Sequence, residues 1–365
     1  MKTDEASAID QAASILRKGG LVAFPTETVY GLGGNALDAT ASARIYAAKG
    51  RPSDNPLIVH IADKNDLYKL AENVPEKALQ LAEGFWPGPL TIILNKKSLV
   101  PDATTGGLST VAIRMPSHPA AMEMIHRSGI YVAAPSANLS GRPSPTTAEH
   151  VIEDMSGRID MILDGGAVGI GIESTIVDLT GSVPMILRPG FITREMLTSV
   201  IGPVELDPTL ADAPSLQPAS DVPGDGNTLL HPKAPGMRYT HYAPVGELTI
   251  VSDSDHPERV TAAVKNRLHE LLEAALSNGT ETAVLTTGEN SSDYSCFTGN
   301  PHFHLILLGD QDSGKTVAAN LYRALRECDS LGCKLIYSEN FRRDAFGSAI
   351  MNRLVKAAGH RIIYC

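Results

Sequence analysis

The feature that most constrains this chain is a proline-dense stretch just past its middle. Between Pro203 and Pro244 lie eight prolines and several acids, and no Lys or Arg occurs between Arg194 and Lys233. Each proline fixes φ and removes a backbone donor, so at this density extended backbone is favoured over a packed domain. Residues 203–245 therefore read as a linker, and the 365 residues must fold as two bodies, 1–202 and 246–365. A chain of this length can bury a substantial core.

In the first body, Ala6, Ile9, Ala13 and Leu16 repeat with the spacing of a helix face, and Gly19-Gly20 ends it. Residues 21–24 form a short buried strand closed by Pro25. Residues 26–35 are expected to be a loop whose Gly31, Gly33 and Gly34 let backbone approach a ligand. A helix over 40–48 delivers Lys49. Strands are predicted at 57–61, 91–94, 111–116, 131–136 and 175–179, with helix over 64–83 and Trp86 packing at a turn. Strands interleaved with helices predict an α/β body whose site gathers at strand ends. Past the linker, strands at 247–251, 282–285, 304–308, 334–337 and 361–364 alternate with helices near 257–276, 315–328 and 345–358. That pattern predicts a small, doubly wound, Rossmann-like parallel sheet.

Composition removes several function classes. The formal net charge of -10 argues against a protein that coats nucleic acid, so direct nucleic-acid binding is expected to be weak or absent. Cys296, Cys328, Cys333 and Cys365 lack Cys-x-x-Cys spacing and read as free thiols rather than a disulfide framework or zinc site. No apolar run is long enough to span a bilayer, and the first residues lack the layout of a signal peptide, so the cytoplasm is the expected compartment.

Local clusters point to an anionic ligand. In Lys49-Gly50-Arg51-Pro52 a glycine between two cations permits a turn that converges both on one anion, the Arg as a fork and the Lys as a point charge. The plainer reading is a solvated turn in which Lys49 complements a helix C-terminus. Partner segments change the balance: Pro25-Thr26-Glu27-Thr28-Val29-Tyr30-Gly31-Leu32, Ser136-Ala137-Asn138-Leu139-Ser140-Gly141 and Glu173-Ser174-Thr175-Ile176-Val177-Asp178.

On these residues the first 200 or so positions resemble the YrdC-type threonylcarbamoyl-AMP synthases, with Lys49/Arg51 and Ser136/Asn138 matching the family's Lys-x-Arg and Ser-x-Asn signatures. The run Ala234-Pro235-Gly236-Met237-Arg238-Tyr239-Thr240-His241-Tyr242-Ala243-Pro244 looks like the linker of the long, two-domain form. The resemblance implies a twisted open sheet with helices for the first body and a linker that folds back as a lid over the nucleotide. It implies formation of threonylcarbamoyl-AMP and pyrophosphate from L-threonine, bicarbonate or carbon dioxide, and ATP, for threonylcarbamoyladenosine modification of tRNA completed by downstream transferase proteins. Lys49 and Arg51 carry the catalytic assignment. ATP falls to Arg51, Asn55, Ser136, Ser144 and Arg188, with Lys49, Thr110, Asn138 and Tyr242 as companions, and threonine to Thr28, His60, Arg114 and Ser174. Magnesium is expected with ATP, without a dedicated metal cage. No general base is legible outright: His60 is a candidate because imidazole titrates near neutrality, and carboxylation without any enzymic base is the alternative.

Three other readings compete. Hydrogenase-maturation carbamoyltransferases share this domain type but add acylphosphatase and zinc modules that this chain lacks. An RNA-binding module would use the basic groove alone. A P-loop kinase or ATPase would use Gly309-Asp310-Gln311-Asp312-Ser313-Gly314-Lys315-Thr316, which fits Gly-x-x-x-x-Gly-Lys-Thr between a predicted strand and helix. The two acids inside that loop oppose phosphate, and Asp312 or Ser313 is expected simply to cap the helix.

Overall fold

The computed structural model describes residues 1–2, 6–211, 234, 241–310, 312–341 and 345–365. It divides into two compact units. The first is built on a ten-stranded sheet of β1 (Val22–Phe24), β2 (Gly31–Asn35), β3 (Ile58–His60), β4 (Leu90–Asn95), β5 (Thr110–Arg114), β6 (Val132–Ala134), β7 (Met161–Ile162), β8 (Thr175–Asp178), β9 (Met185–Arg188) and β10 (Glu205–Leu206). Their order is β10-β9-β8-β4-β5-β3-β6-β2-β1-β7. In the centre β3 and β5 run parallel, β4 is antiparallel to β5, and β8 runs parallel to β4.

Side chains alternate between faces along each strand, so register assigns them. Val59, Ile92, Leu94, Val111, Ile113, Ala133 and Val177 form one face and join a core with Ile45, Ala78, Leu81 and Leu197 of the helices Ala39–Lys49, Glu76–Phe85 and Arg194–Ile201. On the other face, Val22, Phe24, Val132 and Ala134 pack under the helices Ala6–Arg17 and Pro119–Ser128. The rest of that second face, across β3, β5, β4, β8 and β9, presents His60, Arg114, Thr91, Ile176 and Arg188 as register neighbours. Alternation thus separates a continuous apolar core from a polar strip.

The glycine-rich stretch read as loop differs in part: Gly31 to Asn35 is strand β2, antiparallel to β1. A Cβ on Gly33 would lie 2.8 Å from Val132 Cγ1 and 2.9 Å from the Phe24 ring. Glycine is required here because the Phe24 ring occupies the space over the strand. Trp86 is buried and donates from Nε1 to the Leu90 carbonyl, in keeping with a core role. Strands β7 and β10, two residues each, are too short to show alternation in sequence, and β9 and the helices Pro119–Ser128, Ala148–Met155 and Arg194–Ile201 also went unread. Strand β10 lies inside the stretch read as linker and pairs with β9. Of the remaining linker, 212–233 and 235–240 lie outside the described residues. Ala234 is fully buried in a cluster with Ile58, Ile93, Ala112 and Ile176, on the face that carries the polar strip.

The second unit contains β11 (Glu247–Ser252), β12 (Thr282–Thr286), β13 (Phe303–Leu307), β14 (Leu335–Glu339) and β15 (Ile362–Tyr364). All neighbours are parallel, in the order β13-β12-β14-β11-β15. The expected parallel sheet is present, but β14 inserts between the first two strands, which a Rossmann order would pair directly. The helix expected from 257 begins at Ala262, where Thr261 supplies the N-cap. Two short segments from earlier in the chain, 140–146 and 169–172, cluster with this unit.

Candidate active site

One line of side chains crosses five adjacent strands. His60 on β3 lies beside Arg114 on β5, and Arg114 lies opposite Thr91 on β4. Thr91 Oγ1 is 2.8 Å from Ser174 Oγ, just before β8. Arg188 of β9 donates from Nε to the Ser174 carbonyl at 3.0 Å and from Nη2 to its hydroxyl at 3.2 Å. All five are buried. Three of the four residues assigned to threonine, His60, Arg114 and Ser174, are thus neighbours, and Arg188, assigned to ATP, is bonded directly to them.

Arg114 is the electrostatic centre of the line. Its Nη2 lies 2.8 Å from Glu27 Oε1, yet Nε and Nη2 are buried without a well-formed hydrogen bond. A buried donor left unmade costs about 1–3 kcal/mol, and Nε, beside the Glu27-paired Nη2, is suited to an incoming carboxylate. Burial pushes the Glu27 carboxyl up, but the Arg114 charge and the Ser117 N–H more than offset this and leave it below its ordinary range. Glu27 therefore stays ionised beside Arg114. It was visible in the Thr26-Glu27-Thr28 motif, but nothing in the sequence showed which cation it meets. Thr91 was equally silent, since a threonine in a strand is ordinary.

Thr28, fully buried, has its hydroxyl 2.8 Å from that of Thr26. Thr26 commits its proton to the Val29 carbonyl at 2.6 Å, so Thr28 is the donor in the pair and keeps its lone pairs for a ligand.

His60 corrects one expectation. Burial, then the Arg114 charge, lowers its pKa to about 3. Its Nδ1 donates to the Ile58 carbonyl at 3.1 Å, which leaves Nε2 as an acceptor. The ring is held edge-on against Phe24, with centroids 6.1 Å apart. Such an imidazole is neutral at physiological pH but too weakly basic to serve as the general base.

Lys49 is the last residue of its helix, and Gly50 turns the chain with φ 62. Its buried ammonium donates to the carbonyls of Ser136, at 2.5 Å, and Asn138. Asn138 Oδ1 accepts from the Ser136 hydroxyl at 2.5 Å, and its amide donates to the Leu139 carbonyl at 2.8 Å. Lys49, Ser136 and Asn138 are therefore one tied turn, and Lys49 braces it.

Arg51 and Asn55 stand elsewhere. Arg51 Nη2 lies 3.3 Å from the Pro56 carbonyl. Asn55 is 1 % exposed, and its Oδ1 has no partner. Because Ile58 lies beside Ala112 in parallel register, the segment carrying Asn55 arrives at the Thr110 end of β5. Thr110 is half-buried there, opposite Asn95. Four residues of strand, about 13 Å at strand rise, separate this end from His60 and Arg114.

Ser144 and Tyr242 belong to the second unit. Ser144 is fully buried, and Tyr242, at φ 67, stacks on Tyr322 with centroids 5.1 Å apart. The Gly309–Thr316 run follows β13, which is an edge strand. The Thr316 hydroxyl accepts from the Asp310 N–H at 3.0 Å and donates to the Ser313 carbonyl at 2.9 Å. A Cβ on Gly309 would lie 2.4 Å from that hydroxyl. The loop is thus closed on its own helix by groups that would otherwise face phosphate and metal. Of the two expected caps, Ser313 occupies the N-cap position but makes no side-chain cap bond.

Comparison with known proteins places the whole chain. Residues 14–190 match the family model described as Telomere recombination, covering Sua5, YciO and YrdC. Residues 192–359 match the model described as Threonylcarbamoyl-AMP synthase, C-terminal domain. The chain is 48% identical to a threonylcarbamoyl-AMP synthase of Bacillus subtilis (strain 168), over 99% of this chain and 97% of that one. It is 44% identical to one of Pyrococcus abyssi, over 96% of this chain and 94% of that one. A crystal structure of P. abyssi Sua5 complexed with L-threonine superposes with a TM-score of 0.85 at 44% identity, covering 98% of this chain and 96% of that one.

Proposed function

Since the chain belongs to the two-domain threonylcarbamoyl-AMP synthases of the Sua5, YciO and YrdC family, we propose that it joins L-threonine, bicarbonate or carbon dioxide, and ATP into threonylcarbamoyl-AMP and pyrophosphate. The product serves threonylcarbamoyladenosine formation in tRNA, completed by downstream transferase proteins in the cytoplasm. No described helix is long and apolar enough to cross a membrane.

The observation that carries the reading is the buried Arg114 on a polar strip, its Nη2 paired with Glu27 and its Nε without an acceptor. Threonine's carboxylate supplies the acceptor for Nε, Glu27 holds the guanidinium in place, and the lone pairs of Thr28 and His60 Nε2 face the substrate's donors. The free amine attacks carbon dioxide and loses a proton. With His60 this weakly basic, that proton leaves through bound bicarbonate or water. A carbamate oxygen then attacks the α-phosphorus in line, one P–O bond forms, and the bond to pyrophosphate breaks.

No side-chain nucleophile is needed, so positioning and electrostatics dominate. Arg51 offsets charge on the leaving phosphates, and Asn55 Oδ1 offers an acceptor to the nucleotide. Arg188, already on Ser174, stands where the two substrates meet. Ser136 and Asn138 line the nucleotide on a turn braced by Lys49. Magnesium arrives as part of MgATP. On this reading phosphates and water supply most of its ligands.

The test is pyrophosphate release from ATP with threonine and bicarbonate present, each omitted in turn. Release requiring both is expected. Release independent of threonine, or ADP as the product, rejects the proposal.

A further inference from the structure

Thr91, which no motif singles out, shares its bonds with Ser174 in a way that leaves one proton over. It is fully buried in β4, opposite Arg114 in the antiparallel register with β5 and beside Ile176 of β8. Among the described residues its hydroxyl has one partner, Ser174 Oγ at 2.8 Å. Ser174 Oγ, also fully buried, accepts in addition from Arg188 Nη2 at 3.2 Å. A guanidinium only donates, so Arg188 uses neither of the two hydroxyl protons. One of them makes the Thr91–Ser174 bond, and the other has no acceptor among the described residues. Across the register pair, Arg114 Nε is likewise a buried donor without a partner. The backbone of this segment is held without help from Thr91. The Ser174 carbonyl accepts from Arg188 Nε at 3.0 Å, the Thr175 N–H donates to the Pro89 carbonyl at 3.0 Å, and the Thr175 hydroxyl donates to the Ile192 carbonyl at 2.6 Å. Gly190 admits the segment, since a Cβ there would lie 2.5 Å from the Thr175 nitrogen and 2.8 Å from the Glu173 carbonyl oxygen.

We infer that Thr91 is a positioning residue for the substrate's carboxylate: it donates to Ser174 Oγ and so turns the Ser174 proton outward beside Arg114 Nε. The inference deepens the reading above, in which threonine occupies this strip, and rests on it. Two buried donors without acceptors, set side by side, match the two oxygens of one carboxylate. Cross-strand partners bring their Cβ atoms within about 5.5 Å, so the Thr91–Ser174 pair and Arg114 belong to one small site. The direction of the hydroxyl chain follows from the neighbouring charge. Arg188 withdraws electron density from the Ser174 oxygen, which makes that hydroxyl the stronger donor of the two and the one that gains more from an anionic acceptor. In a purely structural pair the spare proton would find a carbonyl, as those of Thr26 and Thr175 do. Here it is left in a buried place where an unmade bond is costly.

The experiment measures, by calorimetry on the full chain, the binding of L-threonine and of L-threoninamide, which carries a neutral amide in place of the carboxylate. Thr91→Val keeps the branched shape and the strand preference and removes the hydroxyl. Loss of one hydrogen bond to a charged group predicts that its Kd for L-threonine rises about ten- to a hundredfold. The loss for L-threoninamide, a neutral acceptor, should be several-fold smaller. KM for ATP should stay within about twofold, and Thr91→Ser should restore L-threonine binding to within about threefold of the parent. Thr91→Cys places a weak donor of similar size at the same point. It should show the same selective loss, and it supplies the answer if the valine variant does not fold. A merely structural role would lower the melting temperature and leave both Kd values unchanged. Equal losses for the two ligands would mean that the pair does not read the carboxylate. Either result, in a parent that binds L-threonine, rejects the role of Thr91 alone. A parent that binds no L-threonine removes the reading of the strip and the inference with it.

Discussion

At the residue scale, His60 shows how burial selects a role. Imidazole is poised near neutrality in water, but beside Arg114 and away from solvent its pKa falls to about 3 from 6.5. Desolvation disfavours the cation and the neighbouring positive charge adds to the penalty. The group binds a proton more readily in the unfolded chain than in the native one. Its contribution to stability is therefore fully present above pH 6.5 and is lost as pH falls through that value toward 3. In His60→Gln, which has no such group to protonate, the urea midpoint should decline less steeply between about pH 6.5 and pH 4 than in the parent. Equal slopes would show that His60 is not the group responsible. The same neutrality makes a hydrogen-bonding role the natural one for this side chain.

At the element scale, β2 shows why a glycine run need not be a loop. Gly31 and Gly33 leave one side of the strand bare, and the Phe24 ring fills that side before meeting His60 edge-on. The glycines thus set the position of a residue assigned to threonine. A methyl group at Gly33 would meet Val132 and Phe24 within 3.0 Å, so Gly33→Ala should destabilise the protein by about 1–3 kcal/mol through overpacking. Displaced toward His60, Phe24 should also raise KM for threonine. Thermal melts and threonine titrations test both, and an unchanged melting temperature would mean that the ring moves aside freely.

At the scale of the whole molecule, the question is which unit performs the ATP chemistry, since each contains a sequence suited to phosphate. The run ending at Thr316 is closed on itself by the Asp310 and Ser313 bonds, and Lys315 Nζ lies 6.0 Å over the Phe346 ring. Lys315→Ala should accordingly leave adenylate synthesis within about twofold of the parent. Arg51→Ala should lower turnover by about 10²–10³, the scale of losing one preorganised donor. Threonine-dependent pyrophosphate release measures both. The opposite ranking would move the chemistry to the second unit.

The sequence by itself determined much of the strand and helix alternation through hydrophobic period and the family through short motifs, while its prolines suggested two bodies without their true composition. These are local signals, carried by residues close together in the chain. Only the tertiary structure decided that Lys49 braces a turn, that Glu27 faces Arg114 and also accepts from Ser117, 90 residues along the chain, and that the segment 140–146 clusters with the C-terminal unit. Strand order and register bring those groups together, and no residue's own propensity encodes its cross-sheet neighbour. The pKa of His60 lies on that same side of the division, because desolvation and a neighbouring charge exist only once the sheet has formed.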